Sequence, residues 1–221
     1  ADGGGVWVVC NDGLYAQRVD LAANSPACHR YAANRSGFVY FGGGALGDPW
    51  TRVYRPTDPA RDSVVALAYD SADDKRVVVA QSNLAATAAL LLLPDATAVG
   101  DDAAPFAHAA WQTVAYPDAA SAPVLALLVD GMTWYAGVAR KQNAAASALL
   151  YKSTNGGTSW AATALAAVGG VRALAFDPSR HQTIYAGAGD YDTDAHSVAH
   201  AGGLWKSVDG GDSWSRISTP N

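Results

Sequence analysis

The densest group of chemically capable side chains is Asp190-Tyr-Asp-Thr-Asp-Ala-His196, followed by His200. Carboxylates at alternate positions, Asp190, Asp192 and Asp194, can turn toward one point, which is how oxygen ligands hold hard cations such as Ca²⁺. The same stretch sets Tyr191 and His196 beside them, so Asp190, Tyr191 and His196 also form a candidate ligand-binding loop. His196 and His200 offer a softer alternative for a transition metal. The spacing is not that of an EF-hand, since Ala195 stands where that loop needs Gly and Ala201 where it needs the final Glu. The competing reading is a solvated acidic loop with no chemistry.

Other reactive patterns fare worse. Phe38-Val-Tyr-Phe41 followed by Gly42-Gly-Gly-Ala-Leu-Gly47 matches a dinucleotide fingerprint by letter, but Asp48-Pro-Trp50 follows with no helical pattern. That fingerprint works only where its glycines open a helix whose N-terminus meets the pyrophosphate. Glutamate is absent, all 20 acidic residues being Asp. No Ser nucleophile elbow, His-Glu zinc helix or Cys-x-x-Cys pair is present. No catalytic residue set is therefore assigned.

The elements that must position these residues come from a repeat. Ser153-Thr-Asn-Gly-Gly-Thr-Ser-Trp160 and Ser207-Val-Asp-Gly-Gly-Asp-Ser-Trp214 share one pattern, 54 residues apart. Each follows a short apolar segment and leads into another, which describes a hairpin. Within it the Ser153 and Ser207 hydroxyls and the Asn155 and Asp209 side chains can bond turn backbone, Gly157 and Gly211 supply positive φ, and Trp160 and Trp214 are expected as buried anchors. Upstream of each turn the frame repeats: Val124-Leu-Ala-Leu-Leu-Val129 and Thr133-Trp-Tyr-Ala-Gly137 match Ala173-Leu-Ala-Phe-Asp177 and Thr183-Ile-Tyr-Ala-Gly187. A third copy runs through Val65-Ala-Leu-Ala-Tyr-Asp70, Arg76-Val-Val-Val-Ala80, Ala89-Leu-Leu-Leu-Leu93 and Trp111-Gln-Thr-Val114. From Trp50 the recurring Trp positions are 61, 49 and 54 residues apart. Four short strands in a period of this size are the signature of β-propeller blades.

The two octapeptides resemble the Asp-box (BNR) repeat of sialidases, family 74 glycoside hydrolases, sortilin-type receptors and photosystem II assembly-factor propellers. The resemblance implies an all-β propeller: one domain over residues 1–221, with blades near 1–58, 59–118, 119–167 and 168–221. The first region holds one blade or two partial ones. Laying Gly13-Leu-Tyr-Ala-Gln17 on Gly203-Leu-Trp-Lys-Ser207 makes it a third strand, so the chain would begin inside a blade. The choice is then between a small closed ring of four or five blades and part of a larger ring completed by another segment or an oligomeric partner. Sialidases use a Tyr-Glu pair, which a chain without Glu cannot supply. Family 74 enzymes work with two Asp residues but have two whole propellers, so the chain would be at most a fragment of such a hydrolase.

Composition narrows the partners. Half of the chain is hydrophobic and 16% charged, which suits sheets packed face to face and excludes disorder. A net charge of −5 gives no basic field for nucleic acid. The longest apolar run, residues 84–93, is too short to span a bilayer. Cys10 and Cys28 fall within the first blade and are expected either as a disulfide or as two free thiols. With the sequon Asn34-Arg-Ser36 and a signal peptide expected to have been removed, they point to a secreted or lumenal address. The resulting expectation is a non-catalytic propeller that binds a protein partner as an assembly or scaffold module, with a lectin-like glycan binder or a glycoside hydrolase fragment as alternatives.

Overall fold

The computed structural model describes residues 14–18, 30–34, 39–42, 50–54, 62–73, 75–83, 88–98, 110–117, 122–139, 148–165, 169–189 and 202–217. They form four antiparallel sheets, each of four strands in chain order. The first blade holds β1 (Leu14–Arg18), β2 (Arg30–Asn34), β3 (Val39–Gly42) and β4 (Trp50–Tyr54). The second holds β5 (Asp62–Tyr69), β6 (Val77–Asn83), β7 (Ala88–Leu93) and β8 (Gln112–Val114). The third comprises β9 (Val124–Asp130), β10 (Thr133–Val138), β11 (Leu150–Ser153) and β12 (Ala161–Ala162). The fourth comprises β13 (Gly170–Asp177), β14 (Arg180–Gly189), β15 (Gly203–Ser207) and β16 (Ser215–Ile217).

Residues 14–18 are the first strand of a complete blade, paired to β2 from Leu14↔Asn34 to Arg18↔Arg30, and not its third. Gly-Leu-aromatic is a short apolar signal that fits any strand of a blade, and without an octapeptide turn behind it nothing pins its place in the repeat.

Successive blades stack face to face. Val39, Val53 and Tyr54 of the first pack with Leu67, Val79 and Leu93 of the second. Ala68, Val78 and Leu90 of the second meet Leu127, Val129 and Trp134 of the third. Tyr135 and Leu150 of the third meet Val171, Ile184 and Trp205 of the fourth. A strand covered on both faces loses the apolar-polar alternation of a half-buried one. Val77, Val78, Val79 and Ala80 are accordingly all buried. The fourth blade alternates again, with Ala186 and Ala188 buried and Tyr185 and Gly187 half-buried between them.

Polar ties reinforce the stacking at the turns between the first two strands of the second and third blades. Asp70, fully buried, accepts from the Gly131 amide of the next blade at 2.6 Å, from its own Arg76 at 2.8 Å and from the Ala72 amide at 2.9 Å. Asp130 repeats the device: it accepts from the Ser71 hydroxyl of the second blade at 2.6 Å, and its other oxygen lies 3.1 Å from His181 Nδ1 of the fourth.

Candidate binding surface

The octapeptide turns consume their own polar groups. In the third blade, Ser153 Oγ accepts from the Gly157 amide at 2.9 Å and donates to Asn155 Oδ1 at 2.9 Å, and that oxygen accepts from the Ser159 amide at 2.9 Å. In the fourth, Ser207 Oγ accepts from the Gly211 amide at 2.8 Å and donates to Asp209 Oδ1 at 2.7 Å. The Ser213 hydroxyl and amide also donate to Asp209, and these bonds, with that of Ser207, hold its carboxyl well below the usual carboxylate range. These bonds account for the place of Asp209 in the turn.

Glycine is needed twice over in these turns. Gly157 has φ +80°, and a Cβ there would lie 2.5 Å from the Trp134 ring. Gly211, at φ +88°, lies against Tyr135 of the preceding blade in the same way, 3.1 Å from where its Cβ would be.

The tryptophans divide by position. Trp134 and Trp205, inside strands, are buried, whereas Trp160 and Trp214, closing the turns, are only half-buried, contrary to the expectation of buried anchors. Strand length does not decide it, since their counterpart Trp111, before the equally short β8, is buried with the Tyr54 ring of the first blade 5.2 Å away; burial of the closing Trp follows what the neighbouring blade sets against it. Trp160 instead ties blades together, its Nε1 donating to the Ala115 carbonyl of the second blade at 2.8 Å. Trp111 does likewise toward Val53 of the first, also at 2.8 Å.

Beside Trp160 the rim opens into a cleft of about 520 Å³ between the outer strand of the third blade and the octapeptide turn of the fourth. One side is Ala161 to Ala164 and the other Gly211 and Asp212, with Lys152 bound to Asp212 at 3.0 Å between the two blades. β12 is the outermost strand of its sheet. The Thr163 amide donates inward to the Leu150 carbonyl at 3.0 Å, and Ala162 faces Tyr151 one step away. Main-chain groups alternate in direction along an antiparallel edge, so the N–H and C=O of Ala162 point away from β11 at the outer edge of the sheet, and Ala162 is among the residues that line the cleft. An exposed strand edge with small side chains is the surface that an extended polypeptide extends by pairing.

Asp190, Tyr191, Asp192, Asp194, His196 and His200 lie outside the described residues, as do Cys10 and Cys28. Their loop leaves β14 at Gly189 and enters β15 at Gly203, the end of the blade opposite the octapeptide turn. Among the described residues no three His, Cys, Asp or Glu side chains gather where they could hold a metal. No described helix is long and apolar enough to cross a membrane. Three groups were not singled out from sequence: the Asp70 and Asp130 ties, Tyr135, and the cleft at Ala162. For the first a signal exists, because an Asp closes the first strand of three successive repeats, at Asp70, Asp130 and Asp177. For the cleft there is none, alanines at a strand edge being unremarkable by type.

No protein-family model matches the chain, and neither does any curated protein sequence. Solved structures do. The chain is similar to a GH74 enzyme of Niastella koreensis, with TM-score 0.57 and 20% identity over 86% of this chain and 28% of that one. It is similar to the GH74 xyloglucanase of Xanthomonas campestris, with TM-score 0.54 and 18% identity over 86% and 28%, respectively. An ancestral GH74 enzyme gives TM-score 0.50 and 16% identity over 97% of this chain and 33% of that one. The chain thus spans about a third or less of the length of these structures. At such identities the likeness speaks for architecture alone. The described residues form an array of four β-propeller blades, and the chain resembles the GH74 enzymes in fold.

Proposed function

We infer that the chain is a non-catalytic propeller module that recognises an extended polypeptide segment at the rim cleft, in an assembly or scaffold role outside the cytoplasm. The observation that carries the reading is the outward main chain of Ala162 in a cleft flanked by Trp160 and the Lys152–Asp212 pair. A peptide laid along β12 would add a strand to the third blade, gaining main-chain hydrogen bonds there and apolar contact on the half-buried Trp160. The described carboxylates Asp70, Asp130 and Asp209 support the non-catalytic part, since each is engaged in holding blades or turns.

The test sets the classes side by side. A random dodecapeptide library panned on the folded chain should yield binders whose addition slows amide exchange at Ala162 and alters Trp160 fluorescence. Xyloglucan oligosaccharides should do neither and should release no new reducing ends. Reducing-end release would instead make the chain a hydrolase fragment. Saccharide binding at Trp160 without cleavage would make it a lectin-like module.

A further inference from the structure

The fourth blade carries on its outward face the residues that the second and third blades use to receive a neighbour. Strand register makes the correspondence explicit. In the second blade, Val78 pairs with Ala68 and Leu92, and Ala80 with Ala66 and Leu90. In the third, Tyr135 pairs with Leu128 and Lys152, and Gly137 with Ala126 and Leu150. In the fourth, Tyr185 pairs with Ala175 and Lys206, and Gly187 with Ala173 and Leu204. Between the third and fourth blades the pattern is kept almost residue for residue, down to a lysine ammonium over the tyrosine ring, at 6.0 Å for Lys152 and 5.6 Å for Lys206.

Only the covering differs. Leu90 and Leu150 are each 0% exposed beneath the following blade, and their counterpart Leu204 is 38% exposed. Ala173 and Ala175 are exposed where Ala66, Ala68 and Ala126 are buried. A Cβ on Gly137 would come within 2.6 Å of Val171 in the fourth blade, whereas one on Gly187 would meet only Ala173 of its own sheet, at 3.4 Å. The Tyr135 hydroxyl donates to Gly210 in the next octapeptide turn; among the described residues the Tyr185 hydroxyl has no such acceptor. Asp177 stands in the place of Asp70 and Asp130, but its described hydrogen bonds come from Ser179 of its own turn, not from a neighbouring blade.

We propose that this face is a docking surface for one more blade of the same repeat, placed in tandem after the fourth. That blade presents a small-residue first strand at Gly187, as Val171 does at Gly137, and a Gly-Gly turn whose carbonyl takes the Tyr185 hydroxyl. The occupant is specified by what already sits on the equivalent faces of the second and third blades, where in each case it is the blade that follows. The inference is independent of the rim cleft.

The experiment appends a duplicate of residues 168–221 after Asn221 of the full chain. The added blade should resist limited proteolysis, protect Leu204 and Tyr185 of the original fourth blade from hydroxyl-radical oxidation, and raise the Tm by at least about 3 °C. Leu204→Asp in the original blade should abolish all three effects, while in the unextended chain the same substitution leaves the Tm unchanged. Proteolytic trimming back to Asn221, with oxidation of Leu204 and Tyr185 as before, would overturn the proposal. So would a fall in Tm on Leu204→Asp in the unextended chain, which would mean that the chain itself covers this face. Self-association of the unextended chain that Leu204→Asp abolishes would also overturn it, by making a second copy the occupant.

Discussion

The hydroxyl of Tyr135 in the third blade donates to the main-chain oxygen of Gly210 in the fourth across 2.7 Å, joining a buried strand residue to the neighbouring octapeptide turn. One side chain thus reports on whether two blades are seated. Burial, with the negative charges of Asp212, Asp130 and Asp209, pushes the Tyr135 hydroxyl up to about 12.

Tyr135→Phe keeps the packing and removes that bond, so it should cost about 1 kcal/mol in urea denaturation. The pH dependence has a definite sign. The unfolded chain releases this proton near an ordinary tyrosine value of about 10. The folded chain holds it to about 12. The contribution is therefore whole below pH ~10 and is lost as pH rises through ~12. The unsubstituted chain should lose more stability across that window than Tyr135→Phe, and equal losses would contradict the assignment.

The turn glycines should respond unequally. Gly157→Ala combines a left-handed φ with collision into the buried Trp134 ring and should cost about 3 kcal/mol. Gly210→Ala shares the left-handed φ, but the nearest atoms to its Cβ are 3.6 Å and 3.7 Å away, so it should cost about 1 kcal/mol. Equal denaturation midpoints for the two variants would show that the ring contact is not a constraint.

The all-β propeller class was legible because it rests on repetition, and repetition survives local ambiguity. Thr133-Trp-Tyr-Ala-Gly137 and Thr183-Ile-Tyr-Ala-Gly187 identify each other whatever their individual propensities, and both are strands paired through their tyrosines to lysines. The first blade, lacking an octapeptide turn, gave up its strand order only to the structure. The half-burial of Trp160 and Trp214 was hidden for another reason. Side-chain type signals burial on average, but whether a closing Trp is covered depends on what the neighbouring blade sets against it, as Tyr54 does at Trp111. The cleft at Ala162 was invisible because main-chain groups create it, and the side chains there carry no signal.

Asp70 offers a direct test of the ties between blades. Asp70→Ala leaves the Gly131 amide and the Arg76 guanidinium without their acceptor and should cost about 3 to 5 kcal/mol. In that background Arg76→Ala should cost far less than it does alone, because the partner is already gone. Additive losses in a double-mutant cycle would show that Asp70 and Arg76 are not coupled.

Pairing of a polypeptide main chain with the third blade's edge is tested most directly by Ala162→Pro. The Ala162 amide points away from β11, so proline removes an outward donor without breaking the pairing of β12. Isothermal titration with a library-selected peptide should show affinity weakened about five- to tenfold, the equivalent of one lost hydrogen bond, with the Tm unchanged. Undiminished affinity in a variant that melts normally would show that the peptide does not pair with this edge.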